Sequence, residues 1–210
     1  MARKPRIWYP GAIYHVMSRG NRRSVIFQDK GDYIRFLLHL QKVQQEMPFT
    51  LHSICLMSNH FHMLIETDQD DVSSIMQKLL SLYAEDYNRI HSLTGHVFEG
   101  RFTSCLVEDN YYFLEVSRYI HLNPVKANIV YKPMQYTYSS YRFFVTDKRK
   151  HGIKALDLIE KLIDTSRVLS YFAPDPFETY REFVEGANSH EKHELIIQSD
   201  IKEDELWLPR

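Results

Sequence analysis

The stretch Phe49-Thr-Leu-His-Ser-Ile-Cys-Leu-Met-Ser-Asn-His-Phe-His-Met-Leu-Ile-Glu-Thr67 decides the fold. It is apolar and β-branched on both sides of a short polar break. Ser58-Asn59 carries turn chemistry, so the stretch reads as two strands, Phe49–Met57 and His60–Thr67, joined by a tight turn. In the first, Leu51, Ser53, Cys55 and Met57 are expected to share one face. Upstream, Tyr33, Phe36, Leu37, Leu40, Val43 and Met47 recur at helical spacing, with Asp29 or Asp32 as N-cap. Before that helix, Ala12–Ser18 reads as a strand that breaks at Ser18-Arg-Gly-Asn-Arg-Arg23. Downstream, Val72, Ile75, Met76, Leu79, Leu80, Tyr83, Tyr87 and Ile90 form a helical stripe over 72–91, with Asp71 as N-cap. Arg101–Val107 reads as a fourth strand, and Asn110–Leu122 as a third helix. Pro124 disfavours helical backbone at Asn123, which predicts that this helix stops there.

The order β-α-β-β-α-β followed by a helix is the ferredoxin-like split βαβ pattern. It implies an α+β fold with a four-stranded antiparallel sheet and an added helix. Aromatic residues from Tyr136 to Phe144 are expected to pack back on this body. Asp147–Gly152 is polar and basic and reads as a linker. Two amphipathic helices follow, near 155–164 and 177–185, separated by Pro174 and Pro176. From Asn188 the chain is mostly polar and reads as an arm. The division expected is a catalytic domain over 1–146 and an acidic, mostly helical extension over 147–210.

Composition sets outer limits. A chain of 210 residues, 44% hydrophobic, can bury a core and is not a disordered protein. Its apolar runs are too short for a membrane-spanning helix, and the N-terminus lacks the apolar region of a signal peptide. Two cysteines, Cys55 and Cys105, make no disulfide framework; buried thiols in a reducing, cytoplasmic setting are expected. A net charge of −1 argues against a nucleic-acid partner until the charge is located. Residues 1–150 hold 19 lysines and arginines against 14 acids, a net of +5, while 151–210 hold 7 against 13, a net of −6. A basic body joined to an acidic tail suits a polyanionic ligand.

Three groups of residues can carry chemistry. His60 and His62 are two apart on a strand, so both imidazoles project from one face while Phe61 enters the core. That is a ready pair of metal ligands, although eleven histidines make a chance match easy. In Arg118-Tyr-Ile-His-Leu-Asn-Pro-Val-Lys126, Tyr119 and Asn123 lie one helical turn apart, flanked by Arg118 and Lys126. A tyrosine hydroxyl is a poor nucleophile at neutral pH unless a cation assists it. A phosphodiester is a fitting electrophile, since a metal can draw charge from its oxygens. Finally, Arg3, Lys4, Arg6, Arg19, Arg22 and Arg23 are interleaved with Trp8, Tyr9 and Tyr14, a mixture suited to single-stranded nucleic acid.

Together these motifs resemble the single-tyrosine transposases of the His-hydrophobic-His class, most closely the REP-associated tyrosine transposases. The resemblance spans roughly residues 1–145. It rests on Tyr14-His-Val-Met-Ser-Arg-Gly-Asn-Arg22, Leu56-Met-Ser-Asn-His-Phe-His-Met-Leu64, Gly95-His-Val-Phe-Glu-Gly-Arg-Phe102 and the Arg118–Lys126 segment. It implies that Tyr119 is the nucleophile and that His60 and His62 hold a divalent metal, Mg²⁺ or Mn²⁺. Asn123 would be a third ligand, with His121 or Glu66 as substitutes. It implies a basic surface that includes Arg101, Arg118 and Lys126. The activity implied is cleavage and strand transfer of hairpin-bearing single-stranded DNA through a 5′-phosphotyrosine, by a monomer or homodimer. Imidazoles are unusual partners for Mg²⁺, which prefers oxygen.

Other functions fit parts of the pattern. A domesticated relative would bind hairpins without cutting, and a replication initiator or relaxase would nick with the same histidine pair and tyrosine. An unrelated metal hydrolase would need more acidic ligands than the sequence offers. The acidic extension is expected either to screen the basic surface or simply to add stability.

Overall fold

The computed structural model describes residues 6–147 and 152–186. Arg3, Lys4, the centre of the expected linker and the arm with Trp207 lie outside the described residues. Strands β1 (Ile13–Arg19), β2 (Phe49–Leu56), β3 (His60–Thr67) and β4 (Thr103–Val107) form one sheet in the order β2-β3-β1-β4, antiparallel throughout. This is the expected split βαβ topology. Helices α1 (Lys30–Glu46) and α2 (Val72–His91) complete the two crossovers. Asp29 caps α1, accepting from the Asp32 amide at 2.9 Å, and Asp71 caps α2 through the amides of Ser73 and Ser74.

Alternation along the strands sorts side chains onto two faces. Tyr14, Val16, Phe61, Met63 and Ile65 join Phe36, Leu40, Ile75, Leu79 and Tyr83 beneath α1 and α2. Ile13, Leu64 and Val107 belong to a second cluster under α3 (Asn110–Lys126), with Phe113, Val116 and Ile120.

β2 departs from simple alternation. Leu51 pairs with Ile65 but Ser53 pairs with Leu64, so His52 is an extra residue, a β-bulge. The bulge turns Leu51 to the α1–α2 side with Ile54, while Ser53, Cys55 and Met57 keep the α3 side. The single face expected for Leu51, Ser53, Cys55 and Met57 is thus split. Cys55 is buried and Cys105 half-buried.

α3 does not stop at Asn123 as expected; it runs through Pro124 to Lys126. Proline removes one N–H, so the cost is one helical bond in the last turn. Later amides satisfy this end: Ala127 N–H donates to Asn123 O at 3.0 Å and Ile129 N–H to Pro124 O at 2.9 Å.

The aromatic segment packs back as expected. Leu56 N–H donates to Tyr138 O and Ser140 N–H to Ile54 O, both at 2.9 Å, which covers the outer edge of β2. After α4 (Arg142–Val145), α5 (Lys154–Leu162) packs on α1, contributing Leu158, Ile159 and Leu162 to the first cluster. Beyond α6 (Ser166–Leu169), α7 (Pro176–Glu185) packs on α3 and α4, placing Tyr180 and Val184 in the second. The extension, as far as it is described, shares both cores of the body.

Candidate active site on the sheet face under helix α3

β3 presents His60 and His62 at one end of the sheet, and Phe61 is fully buried on the opposite side. The two imidazoles stand edge to face, with centroids 5.1 Å apart. α3 crosses this face and lays Tyr119 against it, its ring 5.5 Å from that of His62 and nearly perpendicular to it. One turn on, Asn123 Oδ1 lies 3.3 Å from His60 Nε2. The persistence of helix through Pro124 is what keeps Asn123 on the Tyr119 side. Lys126 Nζ lies 4.8 Å from the centroid of the Tyr119 ring. Tyr119, the two histidines and the Asn123 amide therefore meet within a single chain.

Sequence reasoning missed a third histidine. His15 on β1 is 2% exposed, and its Nε2 lies 3.1 Å from Nδ1 of His62. Its ring stacks on that of His62 at 5.2 Å and meets Tyr119 edge-on at 5.8 Å. The available signal was its place between Ile13 and Met17, where strand alternation sends an imidazole toward the α3 side.

Burial holds all three rings toward the neutral form. It pulls His15 down to about 4 with no compensating partner. It pulls His60 to about 4 as well, with help from the Arg19 charge and against the Asn123 Oδ1, which would accept a proton only from the protonated ring. His62 is pushed well below its ordinary value by burial, then by His60, His15 and Lys126. Neutral imidazole is the metal-binding form.

The donor geometry suits a cation at His60 and Asn123. His60 Nδ1 lies 2.7 Å from Asn59 Oδ1, an acceptor that draws the single N–H of a neutral ring. The Nε2 lone pair then faces the Asn123 carbonyl oxygen, two lone pairs that a cation reconciles. Cis ligands each about 2.1 Å from a metal lie roughly 3.0–3.4 Å apart, which matches the observed 3.3 Å. The set contains no carboxylate, and among the described residues no three His, Cys, Asp or Glu converge as a metal group. Two imidazoles and an amide favour Mn²⁺ or a later transition metal over Mg²⁺.

Neither substitute ligand reaches this point. His121 is fully buried behind α3, between Tyr180 OH at 2.7 Å and Ser140 Oγ at 2.8 Å. Glu66 lies at the far end of β3, bonded to His52 at 2.9 Å and Arg167 at 2.7 Å. The His121 contacts belong to a buried polar chain. Tyr180 OH also meets Ser117 Oγ at 2.8 Å, and Ser117 meets Ser53 Oγ at 2.7 Å. α7 thus grips the back of the helix that carries Tyr119.

The basic residues divide. Arg22, Arg23, Arg101 and Lys126 are exposed. Arg22 and Arg23 have left-handed backbone, φ 52° and 61°, in a turn that needs Gly20, since a Cβ there would come within 2.0 Å of Ser24 O. Arg19 is ion-paired with Glu99 beside His60. Arg6 straps the N-terminal segment to β4, donating to Ser104 Oγ at 2.7 Å and Phe102 O at 2.8 Å. Arg118, expected on the basic surface, faces inward at 3% exposure, with Glu115 Oε1 at 3.4 Å and the Phe183 ring at 4.9 Å. Successive helix residues point about 100° apart, so Tyr119 at the site sends Arg118 toward α7.

The family of IS200-like transposases matches residues 9–123, more than half of the chain. The chain belongs to that family and is a transposase, an enzyme that cleaves and rejoins DNA strands. It shares its fold with a REP-associated tyrosine transposase whose structure was solved bound to a REP hairpin. The TM-score is 0.60 at 20% identity over 73% of this chain and 88% of that one. A proposed transposase from Deinococcus radiodurans R1 matches with a TM-score of 0.40 at 15% identity, over 57% of this chain and 95% of that one. No curated protein matches the chain. No helix among the described residues is long and apolar enough to cross a membrane.

Proposed function

We propose that this transposase is a metal-dependent endonuclease and strand transferase for hairpin-bearing single-stranded DNA, working in the cytoplasm through a 5′-phosphotyrosine. The observation that carries the reading is Tyr119 resting against His62, whose neighbour His60 meets Asn123, with Lys126 over the Tyr119 ring. We assign residues 1–146 to the catalytic unit and 147–210 to an extension, of which the described helices α5 and α7 pack on that unit. His60, His62 and Asn123 are the residues that would hold the metal, with Mn²⁺ or Mg²⁺ as the working ion. Bound there, a divalent ion would withdraw charge from the scissile phosphate.

The chain's own groups do the rest. Arg22, Arg23 and Arg101 hold flanking phosphates, and exposed Trp8 and Tyr9 offer rings for unpaired bases. The Tyr119 oxygen forms the new bond to phosphorus as its proton leaves to solvent. The bond to the 3′ oxygen breaks, and that oxygen takes up a proton as a 3′-hydroxyl. A second 3′-hydroxyl attacking the phosphotyrosine reverses the exchange and frees the phenol, so rejoining needs no outside energy. Lys126 stabilises the negative charge that grows between phenol and phosphate.

A hairpin oligonucleotide labelled at its 3′ end tests this with Mn²⁺. A labelled covalent adduct should appear on denaturing gels and vanish in Tyr119→Phe. Tight binding with no adduct would instead make the chain a hairpin-binding module. An adduct that carries a 5′ label would reverse the proposed polarity.

A further inference from the structure

We propose that His15 is a positioning residue that fixes the tautomer of His62, accepting its Nδ1 proton and so keeping the Nε2 lone pair available to a metal. This rests on the reading of His62 as a metal ligand.

The two rings are 2% and 3% exposed, so water does not compete for their facing nitrogens. His15 Nε2 and His62 Nδ1 are 3.1 Å apart and share one proton. Two arrangements satisfy that contact. In one, His15 donates, and neutral His62 then carries its own proton on Nε2 and has no lone pair left for a cation. In the other, His62 donates from Nδ1 and its Nε2 is bare. Only the second is compatible with coordination, because Nδ1 is already occupied by His15. The choice is made on β1, outside the His60–His62 pair, by a residue that would touch neither metal nor DNA. Partners of this kind orient ligating histidines and typically change metal affinity about 10- to 100-fold when removed. The stack at 5.2 Å gives His15 a second task, since its ring also walls the pocket in which Tyr119 sits. The variant His15→Phe keeps that wall and removes only the acceptor. His15→Gln restores a carbonyl acceptor.

The first measurement needs no variant. Nitrogen-15 spectra of histidine-labelled, metal-free protein should show His62 as the Nδ1–H tautomer; an Nε2–H tautomer overturns the inference. The second titrates Mn²⁺ by electron paramagnetic resonance. His15→Phe should bind about 10- to 100-fold more weakly, with His15→Gln recovering most of the loss. Wild-type affinity in a folded His15→Phe overturns the inference. His62→Ala separates the two readings. Unchanged Mn²⁺ binding there removes the metal site itself, whereas lost binding there with His15→Phe unaffected removes only the role of His15.

Discussion

Lys126 Nζ sits 4.8 Å from the centre of the Tyr119 ring, two turns further along the same helix. One cation is thereby fixed beside the proposed nucleophile by α3 itself. An ammonium at this range contributes a few kcal/mol at most in a partly wet site. Lys126→Gln should therefore slow single-turnover cleavage roughly tenfold to a hundredfold, with Lys126→Arg retaining most of the rate. Equal rates in all three proteins would remove Lys126 from the chemistry.

The exposed Arg22 and Arg23 should contribute electrostatically and without sequence preference. Each phosphate contact on a single strand adds about 0.7 to the slope of log affinity against log salt. The double variant Arg22→Ser, Arg23→Ser should flatten that slope by about 1.4 and leave the cleavage position unchanged. An unaltered slope would move the strand away from this turn.

Buried histidines make the fold acid-sensitive. His121 is fully buried and burial lowers its pKa to about 3; His15 falls to about 4. The unfolded chain titrates near the ordinary value of 6.5. Above that value neither state binds these protons, so nothing is lost. As pH falls from 6.5 toward 4 the unfolded chain takes up protons that the native state refuses, and stability declines. At about pH 5 each ring costs on the order of 2 kcal/mol. Urea midpoints should fall clearly between about pH 7.5 and pH 5, with unfolding at the lower pH taking up about one proton for each of His15, His60, His62 and His121, about four in all. The depressed carboxylates, such as Asp32 and Asp71, act below this window, where their protonation removes native hydrogen bonds. A flat response above pH 5 would show that the rings are protonated in the native state.

The Tyr180 hydroxyl bridges Ser117 and His121. Tyr180→Phe leaves both partners buried with one bond fewer, a cost of about 1–3 kcal/mol. Denaturant unfolding should show that loss. Cleavage should slow while hairpin affinity holds, because the change loosens the Tyr119 helix and leaves the exposed arginines alone. A variant equal to wild type in both stability and rate would dismiss the bridge.

Strand and helix order was legible because hydrophobic period survives in composition: α2 occupies the expected 72–91, and the sheet has the expected topology. The bulge at His52 was not legible, since one extra residue alters register without altering residue type. Pro124 misled because a local preference against helix was outweighed by burial of Asn123 and Pro124 and by the bonds that finish the helix. Spacing paired His60 with His62 and Tyr119 with Asn123, but eleven histidines and fourteen tyrosines make chance matches easy, and their roles were implied only by the resemblance to single-tyrosine transposases. Alternation could place His15 on the α3 side, but its pairing with His62 is a contact between two strands 47 positions apart in the chain, which no local pattern shows. Arg118 failed for the opposite reason, since its charge suggested surface while Glu115 and Phe183 draw it inward. The −6 net charge of the tail hid a structural part, for α5 and α7 complete both cores. Deleting residues 151–210 would therefore test folding together with charge.

The grip of α7 on α3 also sets an order of assembly. Chains are made from the N-terminus, and the hydroxyl that braces the tyrosine helix arrives only at residue 180. A nascent chain can hold its histidines, its sheet and Tyr119 long before that brace exists. The helix that carries Tyr119 thus gains its rear brace only after its packing on the sheet can form, and a product cut off before residue 180 would hold that helix by the sheet side alone.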